Sequence, residues 1–149
     1  MNLKEHLYQF CATYVEVRIN RIQFRIKEVQ VALGAETKSS AGDKHETGRA
    51  MLQLEREKLG QQLAEAEKTK KIFAKVNIKD KSMCASLGSL VKTSKAHYFL
   101  AISAGEFQDG NKLVYCISAA TPIGRLLIGK TVGDMVTFNG EEIKVLEIH

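Results

Sequence analysis

Apolar residues return along the first half of the chain at alternating intervals of four and three. Leu3, Leu7, Phe10, Tyr14, Val17, Arg21, Phe24, Glu28 and Val31 form one such row, seven of its nine members apolar or aromatic, and Val15, Ile19, Ile22, Ile26, Val29 and Leu33 form another. This is the rhythm of an amphipathic helix, and the two rows together read as one wide apolar stripe. Further on, Leu52, Leu59, Ala66 and Phe73 fall seven apart, with Leu63 beside them. That interval belongs to helices packed side by side, as in a coiled coil. Between the two stretches, residues 34–43 are rich in Gly, Ser and Thr and hold no apolar anchor, so they read as a connection. Two long helices joined by a short loop run antiparallel. An arm of about 30 residues at ~1.5 Å each gives a rod of roughly 45 Å, whose tip should project from whatever anchors its base.

From about residue 86 the periodicity shortens. Residues 89–93, 97–103, 113–118, 135–138 and 143–148 are short β-rich runs. The turn Gln108-Asp-Gly-Asn predicts a hairpin between the second and third runs, and Asn139-Gly140 predicts another between the last two. Only Thr121 to Ile128 reads as a helix, with Thr121 as N-cap and Pro122 in the first helical position. The expected fold is therefore α+β. A coiled-coil hairpin over 1–75 has its acidic tip at about 34–46, a linker covers 76–85, and a small antiparallel β domain with one short helix covers 86–149. No internal repeat is evident.

Composition narrows the class. The chain has 149 residues, is 26% charged and carries a single Pro, which fits a folded, helix-rich protein rather than a disordered one. No apolar run approaches the ~20 residues that cross a bilayer, and the N-terminus lacks the pattern of a signal peptide, so a cytoplasmic location is expected. Cys11, Cys84 and Cys116 are odd in number and form no CxxC pair. Neither a zinc site nor a disulfide framework follows, and burial as small hydrophobes is the expectation for all three. The net charge of +5 is concentrated in residues 1–75, which hold 14 Lys and Arg against 10 acids. A modest basic surface favours acidic protein or nucleic-acid partners without identifying either and is also ordinary for solubility; Arg18, Arg21, Arg25 and Lys27 fit such contacts or a solvated face alike.

Two constellations bear on chemistry. Gly124-Arg-Leu-Leu-Ile-Gly-Lys-Thr131 matches the phosphate-binding pattern GxxxxGK[ST]. That chemistry requires a helix opening at the Lys-Thr, and here Val132-Gly-Asp and a strand follow instead, so the match is set aside. The second is Asp43 and Glu46. At a spacing of three they share one face of a helix start. Side-by-side carboxylates are hard-oxygen ligands for Mg²⁺, which needs only one or two of them. The same spacing is also that of a capping box, in which each residue satisfies a backbone amide of the other. A capped helix still presents its carboxylates, so both readings stand. Glu36, across the tip, is a weaker third carboxylate, and His45 reads as a solvated tip residue.

The stretch Ser118-Ala-Ala-Thr-Pro-Ile-Gly-Arg-Leu-Leu-Ile-Gly-Lys-Thr-Val-Gly-Asp134 resembles the signature of the Gre transcript-cleavage factors. The closing segment 136–148 fits the same pattern, and Gly42, Asp43 and Glu46 match the Gly-Asp-x-x-Glu motif at the tip of that family's coiled coil. The resemblance spans nearly the whole chain in the right order. It implies an FKBP-like C-terminal domain and a transcription elongation factor whose partner is RNA polymerase. Ser118, Pro122, Ile123, Arg125, Leu127, Gly129 and Lys130 would belong to the docking segment. The hairpin would enter the polymerase's secondary channel, where Asp43 and Glu46 would share a Mg²⁺ beside the 3′ end of the nascent RNA. The factor would not be an enzyme itself; it would stimulate the polymerase's own cleavage of backtracked RNA. The tip departs from the family at Lys44-His45, where Leu-Ser is usual, and at Gly48-Arg49, where Ala-Glu is usual. Added positive charge there lowers metal affinity. A secondary-channel regulator without cleavage activity is therefore the second reading. A third is an FKBP-like peptide-binding module with a coiled-coil arm, against which the absence of Trp counts.

Overall fold

The computed structural model describes residues 2–38 and 43–149; of 37–38 and 43–45 it describes the backbone alone. Two helices, α1 (Leu3–Lys38) and α2 (Asp43–Phe73), precede six strands and one short helix. These are β1 (Leu90–Thr93), β2 (His97–Ala101), β3 (Gly105–Asp109), β4 (Lys112–Ser118), α3 (Pro122–Leu127), β5 (Met135–Phe138) and β6 (Glu141–Ile148). The α+β organisation is the one that the sequence predicts. Asn2 starts α1 as an N-cap, its Oδ1 accepting the Glu5 amide at 2.9 Å. Helix α1 also runs through Gly34, which the sequence assigns to the connection. One Gly costs a helix only about 1 kcal/mol, too little to end one of this length.

The chain forms two units, residues 15–70 and residues 1–14 with 71–149. In the first, α1 and α2 run antiparallel, as their cross-links show: Glu16 meets Lys70 at 3.0 Å and Arg25 meets Glu55. Val15, Ile19, Ile22, Ile26 and Val29 of α1 are buried, as are Leu59 and Ala66 of α2. Val17, Phe24 and Val31 are exposed. The two apolar rows are therefore not one wide stripe. They are offset by two residues, which rotates one about 200° from the other and puts them on opposite faces of α1.

The second unit is built on a sheet of order β3-β4-β2-β1-β6-β5. Four of its pairings are antiparallel, but β2 and β4 run parallel, with Phe99 opposite Cys116. The predicted hairpin at Gln108–Asn111 exists, yet its first strand is β3 rather than β2. Strand β3 was unpredicted because its alternation is mostly polar and exposed: Glu106, Gln108 and Asp109 surround one apolar residue, Phe107. One cluster of this core joins Ala85, Val91, Tyr98, Leu100, Ile123, Leu127, Val136, Ile143 and Val145. The first turns of α1 belong to the same unit. Leu7 and Cys11 are fully buried, and the Phe10 ring meets that of Phe107 edge-on at 5.4 Å. Burying a side chain such as Leu7 stabilises by about 1.5–3 kcal/mol.

Among the described residues no helix is long and apolar enough to cross a membrane.

Candidate functional site

The first candidate site lies where α1 ends and α2 begins. Asp43 is the first residue of α2 and Glu46 lies three residues on, in its first turn, with its side chain exposed. An acidic residue in this position is favoured by the positive end of the helix dipole. Gly42 and the side chains of Asp43, Lys44 and His45 lie outside the described residues, so the reach of the pair is known from Glu46 alone. Glu36, on the last turns of α1, is half-buried and turns toward α2. A Cβ built on Gly48 would stand 3.5 Å from its carboxylate oxygen. The antiparallel register therefore brings Glu36 beside the start of α2, within two residues of Glu46 along that helix.

Among the described residues no three His, Cys, Asp or Glu side chains gather into a metal-binding group. Mg²⁺ needs only one or two protein carboxylates when other ligands and water complete its shell, and Glu46 is an exposed carboxylate at this helix start. An exposed carboxylate on the first turn of a helix suits a shared site better than a cage belonging to this chain.

The second candidate site is the segment 118–134, in the β-containing unit. Thr121 organises it. Its hydroxyl donates to the Ser118 carbonyl at 2.7 Å and accepts the Gly124 amide at 3.1 Å, so Thr121 both closes the turn and caps α3, with Pro122 following. Gly124 has no room for a side chain, because a Cβ would collide with the Ser118 carbonyl oxygen. Ile123 and Leu127 point into the core. Of the predicted docking residues these two hold the segment in place instead of presenting a surface. Pro122, Arg125 and Gly129 are exposed, and Ser118 and Lys130 are half-buried. Gly129 takes a left-handed backbone (φ 83°), which lets its amide reach the Ala85 carbonyl at 2.7 Å while the Ala85 amide reaches the Lys130 carbonyl at 2.8 Å.

This geometry bears on the phosphate-loop match as well. The helix of the segment ends at Leu127, before Gly-Lys-Thr, where a phosphate loop would open one. The Thr131 amide and hydroxyl are engaged by the Asp134 carboxylate at 2.8 and 3.1 Å. Those two bonds hold the Asp134 carboxyl below the usual carboxylate range.

Of the cysteines, Cys11 and Cys116 are buried as expected, but Cys84 is exposed, because it falls in the irregular stretch between α2 and β1. The thiol of Cys116 is pushed up by its hydrogen bond with Cys11 and by burial. Two histidines have partners that sequence reasoning missed: His6 lies 4.0 Å from Asp109, and His149 lies 3.3 Å from Glu147. The first pair joins α1 to the end of β3, an unpredicted strand, so no local signal marked it.

No protein-family model matches the sequence, and no curated protein matches it. Among solved structures, the chain is similar to the crystal structure of GreA factor homolog 1 (Gfh1) protein of Thermus thermophilus, with 21% identity over 91% of this chain and 92% of that one, at a TM-score of 0.35.

Proposed function

We propose that this chain is a Gre-type transcription factor that binds RNA polymerase through its secondary channel and stimulates Mg²⁺-dependent cleavage of backtracked RNA. The observation that carries the reading is the position of Glu46. It is an exposed carboxylate in the first turn of α2, three residues after Asp43, in the second arm of an antiparallel hairpin. The match of segment 118–134 to the Gre signature supports it independently, since that segment lies in the other unit.

In this reading the free protein is no nuclease. Exposed groups of the 118–134 segment, Pro122, Arg125 and Gly129 among them, dock on the polymerase. Asp43 and Glu46 would hold a Mg²⁺ together with the polymerase's own ligands, and that ion, when bound, supplies activation of a water and stabilisation of the attacked phosphodiester. What this chain contributes is orientation: residues three apart at a helix start share one face.

The test is a stalled, backtracked polymerase complex with end-labelled RNA and Mg²⁺. The protein should shorten the transcript, and Asp43→Ala/Glu46→Ala should not, while still competing with wild type for the polymerase. Lys44 and His45 favour a second reading, a regulator that occupies the channel without promoting cleavage. In that case wild type and the double variant alter transcription alike and neither shortens the RNA. Loss of binding altogether would remove both readings.

A further inference from the structure

A groove of about 1110 Å³ opens in the unit that holds the sheet, between the start of α1, the stretch 78–83, the end of β6 and residues 131–132. Its walls include four aliphatic side chains. Ile78 and Ile148 are half-buried there, while Met83 and Val132 are 86% and 59% exposed. Single apolar residues on a surface are ordinary, but four that converge on one concavity mark a place for apolar groups to enter. The volume stands above the roughly 300–1,000 Å³ of small-ligand pockets and suits several residues of a peptide. The charges around the groove are of both signs, and their local partners decide which sign is left over. Asp80 lies near enough to Lys4 to favour its charged form, and Glu5 sits in the first turn of α1, where the helix dipole favours an acid. Among the described residues Lys79 and Lys81 form no ion pair. Burial still holds the Lys4 ammonium below its ordinary pKa, so Asp80 offsets the lost water only in part. What the groove lacks is an anion.

We propose that this groove docks an acidic segment of a partner protein, whose apolar side chains enter between Met83, Val132 and Ile148 while its carboxylates meet Lys4, Lys79 and Lys81. Nucleic acid shares the negative charge but not the rest of the fit. Single strands stack on aromatic faces and base edges are read most often by Arg, and the lining holds no Phe, Tyr, Trp or Arg. An acidic peptide with aliphatic side chains satisfies the walls and the cations together. Thr131 and Val132 also belong to segment 118–134, so the groove continues the face by which the proposed function docks the chain. The occupant is defined here by its chemistry and does not depend on that function.

Fluorescence anisotropy of dye-labelled peptides tests this on the full chain. The wild type should bind a peptide of repeated Leu-Glu-Glu about tenfold or more tightly than repeated Ser-Glu-Glu, which keeps the charge and drops the apolar groups. It should prefer the same peptide by a similar factor over repeated Leu-Lys-Lys, which keeps the apolar groups and inverts the charge. Val132→Glu should weaken the Leu-Glu-Glu peptide about tenfold or more, with urea unfolding unchanged because the side chain is exposed. Lys79→Glu/Lys81→Glu should weaken it too and move the preference toward Leu-Lys-Lys. Equal binding of Ser-Glu-Glu would reduce the surface to a charge patch and overturn the inference. Tighter binding of a thymidine oligonucleotide overturns it, as does a wild type that binds no peptide. Affinity indifferent to Val132→Glu puts the binding elsewhere and overturns it as well. No arm contains polymerase, so failure here leaves the cleavage reading standing, and failure of that reading leaves this result intact.

Discussion

Arg25 of α1 grips Glu55 of α2 with two nitrogens: Nε donates at 2.8 Å and a terminal nitrogen at 2.6 Å, both to the same carboxylate oxygen. The pair marks which turn of one helix faces which turn of the other, the register in which Glu36 lies beside Gly48. The hydrogen bond to Glu55 raises the pKa of the guanidinium. Both partners are substantially exposed, and exposed pairs contribute modestly and are screened by salt. Arg25→Glu should therefore lower the melting temperature by a few degrees at low ionic strength and by less at high. Arg25→Glu/Glu55→Arg should recover most of the loss. Melting curves by circular dichroism at two salt concentrations decide it; a loss that salt does not reduce would mean that packing, not charge, sets the register.

Segment 118–134 divides into residues that anchor and residues that face outward. Leu127 is fully buried, and Leu127→Ala should cost about 2–5 kcal/mol in urea unfolding. Gly124→Ala forces a side chain onto the Ser118 carbonyl and should also destabilise markedly. Arg125→Ala, at an exposed site, should stay within about 0.5 kcal/mol of wild type. On the proposed function only Arg125→Ala should then weaken polymerase binding at unchanged stability. Equal stability losses at 125 and 127 would undo this division.

What the sequence made legible follows the strength of its periodic signals. The buried α1 row, the heptad spacing of α2 and the capped start of α3 each rest on several residues in phase, and each appears in the structure. Strand β3 rests on Phe107 alone, so the chain reversal at Gly110 predicts the wrong first strand, and no local pattern announces the parallel β2–β4 pair. The two α1 rows read as one stripe because each has helical spacing; only their two-residue offset separates them, and which row is buried depends on α2. In the signature, Ile123, Leu127 and Ile128 are alike in hydrophobicity, yet Ile128 is exposed where the other two are buried. Asp43 and Glu46 were legible as a helix start. Glu36 reads from the sequence as lying across the tip, but its place beside Gly48 depends on the hairpin register, which no local pattern encodes.

Thiol accessibility gives an independent check on the β-containing unit. Cys84 is exposed, whereas Cys11 and Cys116 are buried against each other. The thiolate is the reactive species, and burial suppresses it. Titration of the native protein with a chromogenic disulfide should show one fast thiol of the three, with the other two released only on unfolding. Cys84→Ser should abolish the fast phase. Two fast thiols would mean that the first turns of α1 leave the sheet readily.

Acid should loosen the turn after α3 before it unfolds the sheet. The Asp134 carboxylate accepts the Thr131 amide and hydroxyl, and its own backbone joins the turn to β6: the Val145 amide donates to the Asp134 carbonyl at 2.9 Å, and the Gly133 amide to the Val145 carbonyl at 2.8 Å. Because these bonds favour the ionised form, the folded pKa lies below the unfolded one. The stabilisation is therefore fully present above the ordinary carboxylate range and is lost as pH falls through the lower folded value. Asp134→Ala removes it at every pH. The gap in stability between wild type and Asp134→Ala should be widest near neutrality and should close on acidification. Urea unfolding of both proteins across that pH series measures the gap directly. A gap that stays constant would assign the turn to backbone geometry and leave the carboxylate's charge without a role in it.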